Sequence, residues 1–240
     1  KVEIETVGEL RSKPYIDITI DLMKEFGVTA INNEYKNFTV KAGQSYVPKE
    51  YKVEGDYSNA AYFFAAAAIT QGKVEVTNLN PTSAQGDKFF VECLQKMGCS
   101  VENKENSIVV QGKALNGITV DMSDYPDIVP PLAVVAAFAE GTTIISNIEH
   151  LRYKECDRLE ATATELKKLG AEVETTRDSL KVTGNAFALK GAEIETYNDH
   201  RMAMSFAIAG LKVSGIKVND PACVKKSFPN FFDKLKELGE

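Results

Sequence analysis

The strongest constraint in this sequence is a period. Four segments read alike: Leu22-Met-Lys-Glu-Phe-Gly27, Leu94-Gln-Lys-Met-Gly98, Leu166-Lys-Lys-Leu-Gly170 and Leu235-Lys-Glu-Leu-Gly239. Their glycines recur at intervals of 71, 72 and 69 residues. Each segment reads as the end of an amphipathic helix, with lysine complementing the negative end of the macrodipole and glycine supplying a left-handed cap. A second series, Asp56, Asp127 and Asp199, is spaced by 71 and 72 residues, and each member opens a long apolar run. Agreement between two independent series argues against chance. A repeat of this length is one supersecondary unit used several times.

The apolar runs end at Gly72, Gly141 and Gly215, and alternating, strand-like segments follow at Lys73–Asn78, Thr142–Asn147 and Ile216–Asn219. Hairpin-like stretches with polar turns come after the second helix of each unit, at Val28–Ala42, Ser100–Gly112 and Ala171–Gly184. One unit therefore reads helix, strand, helix, two strands. With an entering strand it is βαβαββ, an α/β pattern with mixed sheets repeated about every 70 residues. In this register residues 1–55 supply only the second half of a unit, 56–126 and 127–198 are nearly whole, and 199–240 lacks its final strands. The expectation is an orphaned half-unit of one domain (1–55) followed by a second domain (56–240). Lys1 in place of a methionine reads as a chain cut from something longer. The unpaired edge of the last unit offers a place for residues 1–55 to add on as strands.

Composition removes several classes of function. A net charge of −6 argues against a nucleic-acid surface, though it says nothing about a local basic cleft. The longest apolar stretches, Ala60–Ile69 and Ile128–Ala139, fall short of the ~20 residues that span a bilayer, so no membrane segment is expected. Four cysteines without CxxC pairing and only two histidines give no zinc or disulfide framework, and a reducing cytoplasm is the expected location. No GxGxxG or Walker-type loop is present.

The informative residues are cations at helix starts, the end where positive charge is disfavoured. Asp157-x-x-Glu160 reads as a capping box, which places Arg152, Lys154 and Arg158 around a helix N-terminus. The breach recurs at Asp199-His200-Arg201, and again at Lys225 and Lys226 before Ser227-Phe-Pro229. Cations grouped with free N–H groups make a site for a multiply charged anion. Plainer readings stay open. N-capping accounts for Asp56, Asp127 and Asp199, and also for Ser12 and Ser227, which share an S-x-P start. Ordinary ion pairs account for Arg158 and Arg201, and a solvated loop for Lys225 and Lys226. Cys156 reads as a buried small residue, and His200 as a structural hydrogen-bonder.

The segments Ser12-Lys-Pro-Tyr-Ile-Asp17, Val53-Glu-Gly-Asp56, Tyr153-Lys-Glu-Cys-Asp-Arg158, Tyr197-Asn-Asp-His-Arg-Met202 and Lys226-Ser-Phe-Pro229 resemble the 5-enolpyruvylshikimate-3-phosphate synthase (3-phosphoshikimate 1-carboxyvinyltransferase) family. The resemblance covers essentially the whole chain in the family's order. It implies the enolpyruvyl transferase fold, an inside-out α/β barrel with two domains of three βαβαββ units, of which this chain matches the C-terminal part. It implies transfer of the enolpyruvyl group of phosphoenolpyruvate to the 5-hydroxyl of shikimate 3-phosphate, with release of phosphate and with no metal or organic cofactor.

Site roles carry over by position. Ser12 and Tyr15 match contacts to shikimate 3-phosphate, Ser12 at its phosphate. Asp127 matches the carboxylate that binds the shikimate hydroxyls and serves as base. Lys154 and Glu155 match the proton-transfer groups at the enol carbon, with Lys154 also on the shikimate 3-phosphate side. Arg158, Arg201 and Lys226 match the phosphoenolpyruvate clamp, with Asp199 beside it, and His150 falls next to the shikimate substrate. The family's earlier half carries further cations and a serine-rich phosphate site. The chain is therefore expected to hold about half of an active site, to need the missing N-terminal half as its partner and to be inactive alone, with Ser12 stranded across the truncated hinge. The rival readings are the sister transferase acting on UDP-N-acetylglucosamine and a non-catalytic anion-binding or assembly module.

Overall fold

The apolar runs that follow the three aspartates fold as helices with no polar face, and such helices have to be surrounded on all sides. In the computed structural model, which describes residues 1–239, this is where they lie. The elements run, in chain order, β1 (Val2–Glu5), α1 (Lys13–Glu25), β2 (Ala30–Asn33), β3 (Asn37–Val40), α2 (Tyr57–Thr70), β4 (Lys73–Thr77), α3 (Phe89–Lys96), β5 (Ser100–Lys104) and β6 (Ser107–Gln111). There follow β7 (Thr119–Asp121), α4 (Val129–Ala137), β8 (Gly141–Ser146), α5 (Arg158–Lys168), β9 (Glu172–Thr175), β10 (Leu180–Gly184), β11 (Glu193–Ile194), α6 (His200–Ala209), β12 (Lys217–Val218) and α7 (Phe231–Lys236). Helices α2, α4 and α6 pack against one another at the centre, and every residue of α4 is buried. The sheets lie outside them, so the barrel is inside-out.

The expected βαβαββ unit is complete in β7-α4-β8-α5-β9-β10. Its sheet has the order β7-β8-β10-β9, with β7 parallel to β8 and the other pairs antiparallel. The unit before it repeats the last three strands as β4-β6-β5, and the unit after it repeats the first two as the parallel pair β11-β12. Gly27, Gly98 and Gly170 adopt the left-handed conformation read from the sequence, with φ of +88°, +117° and +91°. At the end of α2 this role passes from Gly72 to Gln71, at φ 58°.

Residues 1–55 do not extend the sheet edge of the last unit. β1, β3 and β2 make a separate antiparallel sheet, with strand order β1-β3-β2. No residue of α1 is buried, and all four residues of β1 are exposed. The segment instead meets the rest of the chain through the start of α1. Pro14 lies against Gly86 and Tyr125, so closely that a Cβ on Gly86 would come within 2.6 Å of the proline ring. No described helix is long and apolar enough to cross a membrane.

Candidate active site

The three aspartates of the repeat behave differently, and the difference builds the site. Asp56 caps α2, accepting from the backbone N–H groups of Ser58 and Asn59 at 2.7 and 3.2 Å. Asp199 caps α6 with Oδ1, which accepts from the Arg201 N–H at 2.8 Å, while its Oδ2 accepts from Arg158 Nε at 2.7 Å. Asp127 caps nothing. The donor that Asn59 supplies three residues after Asp56 has as its counterpart Pro130, which has no N–H. Capping therefore explains Asp56, half explains Asp199 and leaves the Asp127 carboxylate to other partners.

Those partners are cations. Arg158 Nη1 donates to Asp127 Oδ1 and Arg201 Nη2 to Asp127 Oδ2, both at 2.8 Å. Arg158 is 1% exposed and also reaches Glu155, whose other carboxylate oxygen pairs with Lys226. Arg201 Nη1 points at the hydroxyl of buried Tyr62, 3.4 Å away. From the first segment, the Tyr15 hydroxyl donates to Asp127 Oδ2 at 3.0 Å. Tyr15, Asp127, Glu155, Arg158, Asp199, Arg201 and Lys226 thus form one connected network. It lies where the N-terminal ends of α4, α5 and α6 meet, so three helix dipoles present their positive ends to it.

The charges reshape one another. Burial opposes ionisation of Asp127, but Arg201 and Arg158 outweigh it and hold the carboxyl below its usual value. Burial acts the same way on Glu155 and is overcome by Lys226 and Arg158, which bring it to about 2. An anion entering here competes with these carboxylates for fixed cations. The exposed Lys226–Glu155 pair is the one that opens most readily, since the Lys226 side chain is 56% exposed.

Other expected residues lie at the margin or outside. Lys154 is exposed and has no ion-pair partner among the described residues, yet its charge acts on both Asp127 and His150. His150 lines a small cavity of about 220 Å³ with Arg11, Asn147, Glu149, Tyr153 and Asp178. Its Nε2 is buried without a partner among the described residues, and burial and then Lys154 lower its pKa. Ser12 is not stranded. Its N–H reaches Ser123 O at 3.4 Å, and the next N–H, of Lys13, donates to Asp124 at 3.1 Å. Nor does Ser12 cap α1, because it adopts a left-handed φ of 58° and makes no side-chain cap bond. Ser227 caps nothing either: α7 starts at Phe231, behind Asn230.

Arg152 does sit at the start of α5, but it is bound to Asp157, the cap of that helix, and to the carbonyls of Thr176 and Arg177. Cys156 is half-buried with Sγ 3.7 Å from Asp199 Oδ2, and burial pushes its thiol up to about 12. Asp87 was missed by the sequence reading. It is 3% exposed and bonded by Tyr15 and Ser58. The repeat offered a signal, since Asp87 lies 70 residues ahead of the helix-opening Asp157.

Repeated α/β units whose buried helices aim their N-termini at a set of fixed arginines and carboxylates define an anion-handling transferase site of the enolpyruvyl type. A family model described as EPSP synthase (3-phosphoshikimate 1-carboxyvinyltransferase) matches residues 1–235, and the chain belongs to that family. The 3-phosphoshikimate 1-carboxyvinyltransferase of Vibrio vulnificus is 48% identical over 241 residues, covering 100% of this chain and 56% of the relative. That of Colwellia psychrerythraea is 50% identical over 236 residues, covering 98% and 55%. Among solved structures, an EPSP synthase from Acinetobacter baumannii superposes with a TM-score of 0.83 at 30% identity, covering 98% of this chain and 56% of that one. The chain spans about half the length of the curated relatives it matches.

Proposed function

We propose that this chain contributes its share of an active site that transfers the enolpyruvyl group of phosphoenolpyruvate to the 5-hydroxyl of shikimate 3-phosphate, with release of phosphate. The observation that carries this reading is Asp127. A carboxylate is held ionised between Arg158 and Arg201 while Tyr15, from a separate segment, shares one of its oxygens. In this reading Arg158, Arg201 and Lys226 receive the carboxylate and phosphate of phosphoenolpyruvate, with Asp199 fixing Arg158. Lys154 and Glu155 deliver a proton to the methylene carbon as the acceptor oxygen bonds to the neighbouring carbon, and Asp127 takes the hydroxyl proton. Loss of phosphate and of one methyl proton from the tetrahedral adduct then restores the double bond. Ser12, Tyr15 and His150 hold shikimate 3-phosphate. Each positioned proton transfer is worth ~10²–10⁴-fold.

Residues 1–55 are read as the orphaned half-unit of a first domain and 56–240 as the second domain. The exposure of all of β1, and the absence of any buried residue in α1, support a missing body that would cover them. The remaining cations and the second phosphate site belong to that N-terminal half, and the chain functions with it in the cytoplasm, its four cysteines reduced.

The test is phosphate release from phosphoenolpyruvate that depends on shikimate 3-phosphate. It is measured for the purified chain and for a fusion in which the part of the Vibrio vulnificus enzyme that the chain does not cover precedes it. Release is expected from the fusion and not from the chain alone. A folded fusion without release, or full activity from the chain alone, overturns the reading. Release supported by UDP-N-acetylglucosamine instead assigns the sister reaction.

A further inference from the structure

The Tyr15 hydroxyl has one proton and two carboxylates within reach. Asp127 Oδ2 lies 3.0 Å from it, and Asp87 Oδ2 and Oδ1 lie at 3.2 and 3.4 Å. If both carboxylates are ionised, one of them faces a phenolic lone pair with no hydrogen between them. Such a contact in a site this dry is costly. The conflict disappears if Asp87 carries a proton of its own. It then donates to the Tyr15 oxygen, Tyr15 donates to Asp127, and Ser58 Oγ donates to Asp87.

We propose that Asp87 is a positioning residue that, as a neutral acid, commits the single proton of Tyr15 to Asp127 and so fixes the direction of the base's hydrogen bond.

The placement supports it. Asp87 belongs to the turn Gly86–Lys88, against which Pro14 at the start of α1 is packed, so it can hold Tyr15 only while the first segment is docked. The charged and titratable groups that face it are Tyr15 from α1, Asp127 from the turn ahead of α4 and Arg201 from α6, with the Ser58 hydroxyl from α2. Burial favours the neutral acid and Asp127 adds to this, against Ser58, Arg201 and Tyr15, giving a midpoint near 6. The same surroundings, burial first and then Asp87 and Asp127, drive the Tyr15 hydroxyl far above its ordinary value, so Tyr15 keeps its proton while Asp87 exchanges one. Above the midpoint the Tyr15 proton is divided between two anions, and its hold on Asp127 weakens. The proposal rests on the reading of Asp127 as the base, but its test needs no turnover.

The chain is labelled with ¹³C at tyrosine Cζ and aspartate Cγ and titrated by NMR without substrates, as wild type and as Asp87→Asn. Asparagine has nearly the same shape and keeps an N–H donor for Tyr15 and an acceptor for Ser58, so it imitates the neutral acid. Three results are expected. One aspartate carboxyl inflects near pH 6 and vanishes in Asp87→Asn. The Tyr15 Cζ signal of the wild type moves with the same midpoint. In Asp87→Asn that signal stays at the wild-type low-pH position throughout. If Tyr15 does not move with that carboxyl, or if the Asp87→Asn signal sits at the wild-type high-pH position, the proposal falls. Loss of transferase activity in the fusion would by contrast overturn only the proposed function.

Discussion

Arg158 Nε donates to Asp199 Oδ2 at 2.7 Å, and the two side chains are 2% and 0% exposed. A pair this deep has given up its hydration, so it contributes less as a pair than either member would cost if left alone. Asp199 also caps α6, which ties the charge to the helix that carries Arg201. Asp199→Ala should therefore destabilise the chain by about 3–5 kcal/mol, the usual cost of breaking one side of a buried pair. Arg158→Met combined with Asp199→Leu should recover much of that loss. Urea unfolding of the three proteins decides it; a single variant with wild-type stability would mean that Arg158 is satisfied without Asp199.

Lys226 is the opposite case. It meets Glu155 from solvent, and exposed pairs contribute about 0–1 kcal/mol. Lys226→Ala should leave the unfolding midpoint within that range, yet weaken phosphoenolpyruvate binding to the fusion by about tenfold or more, because a charge-assisted contact is lost. Calorimetric titration of phosphoenolpyruvate gives the affinity. Unchanged binding would remove Lys226 from the clamp.

The depressed carboxyls set an acid limit. Glu155 at about 2 and Asp127 below its ordinary value hold fewer protons folded than unfolded. Stability from such groups is fully present above the unfolded value of about 4 and is lost as pH falls through the folded one. The thermal midpoint should drop from about pH 4 downward, and Glu155→Gln should flatten part of that drop. Scanning calorimetry across this range reads both. An unchanged slope in the variant would show that the Glu155 pairings contribute nothing.

Asp87 acts with the other sign. Its folded value of about 6 lies above its ordinary one, so between about pH 4 and 6 the native state holds a proton that the unfolded chain has released. Stability from this group is present below that window and falls as pH rises through it, by about 3 kcal/mol in all. Asp87→Asn has nothing to ionise. Relative to wild type, the variant should therefore gain stability between about pH 4.5 and 7, measured as a widening gap in urea midpoints. Parallel curves would mean that Asp87 titrates where an ordinary aspartate does.

What sequence reading reached follows from what repeats locally. The cap glycines, the apolar helices and the β-hairpins are encoded within a few residues, so a period of about 70 brought out the architecture unit by unit. Ser12 and Ser227 defeated the capping rule, because the first takes a left-handed backbone and the second lies ahead of a chain that turns once more before α7. The contact between Tyr15 and Asp127 spans 112 residues and joins two segments, and no local pattern encodes it. Asp87 was legible through the register but was passed over because attention lay on the cations. A buried acid beside them is what lets so many charges share one site.

The same register makes a prediction about the framework. Gly112 and Gly184 are 72 residues apart and close the last strands of consecutive units. A Cβ on Gly184 would lie 2.2 Å from Ala139 O and 2.4 Å from Ala136 O; one on Gly112 would lie 2.1 Å from Ala67 O. These are backbone atoms at the ends of α4 and α2, which cannot rotate aside. The helix would have to move along its axis and away from the sheet. Gly184→Ala and Gly112→Ala should each lose about 1–3 kcal/mol or more, as overpacked cores do. Because α4 follows directly from Asp127, the Gly184 variant should also shift the Asp127 Cγ resonance, whereas the Gly112 variant should leave it closer to wild type. Alanine accepted at either position without loss of stability would show that the strands are not clamped to the helix ends.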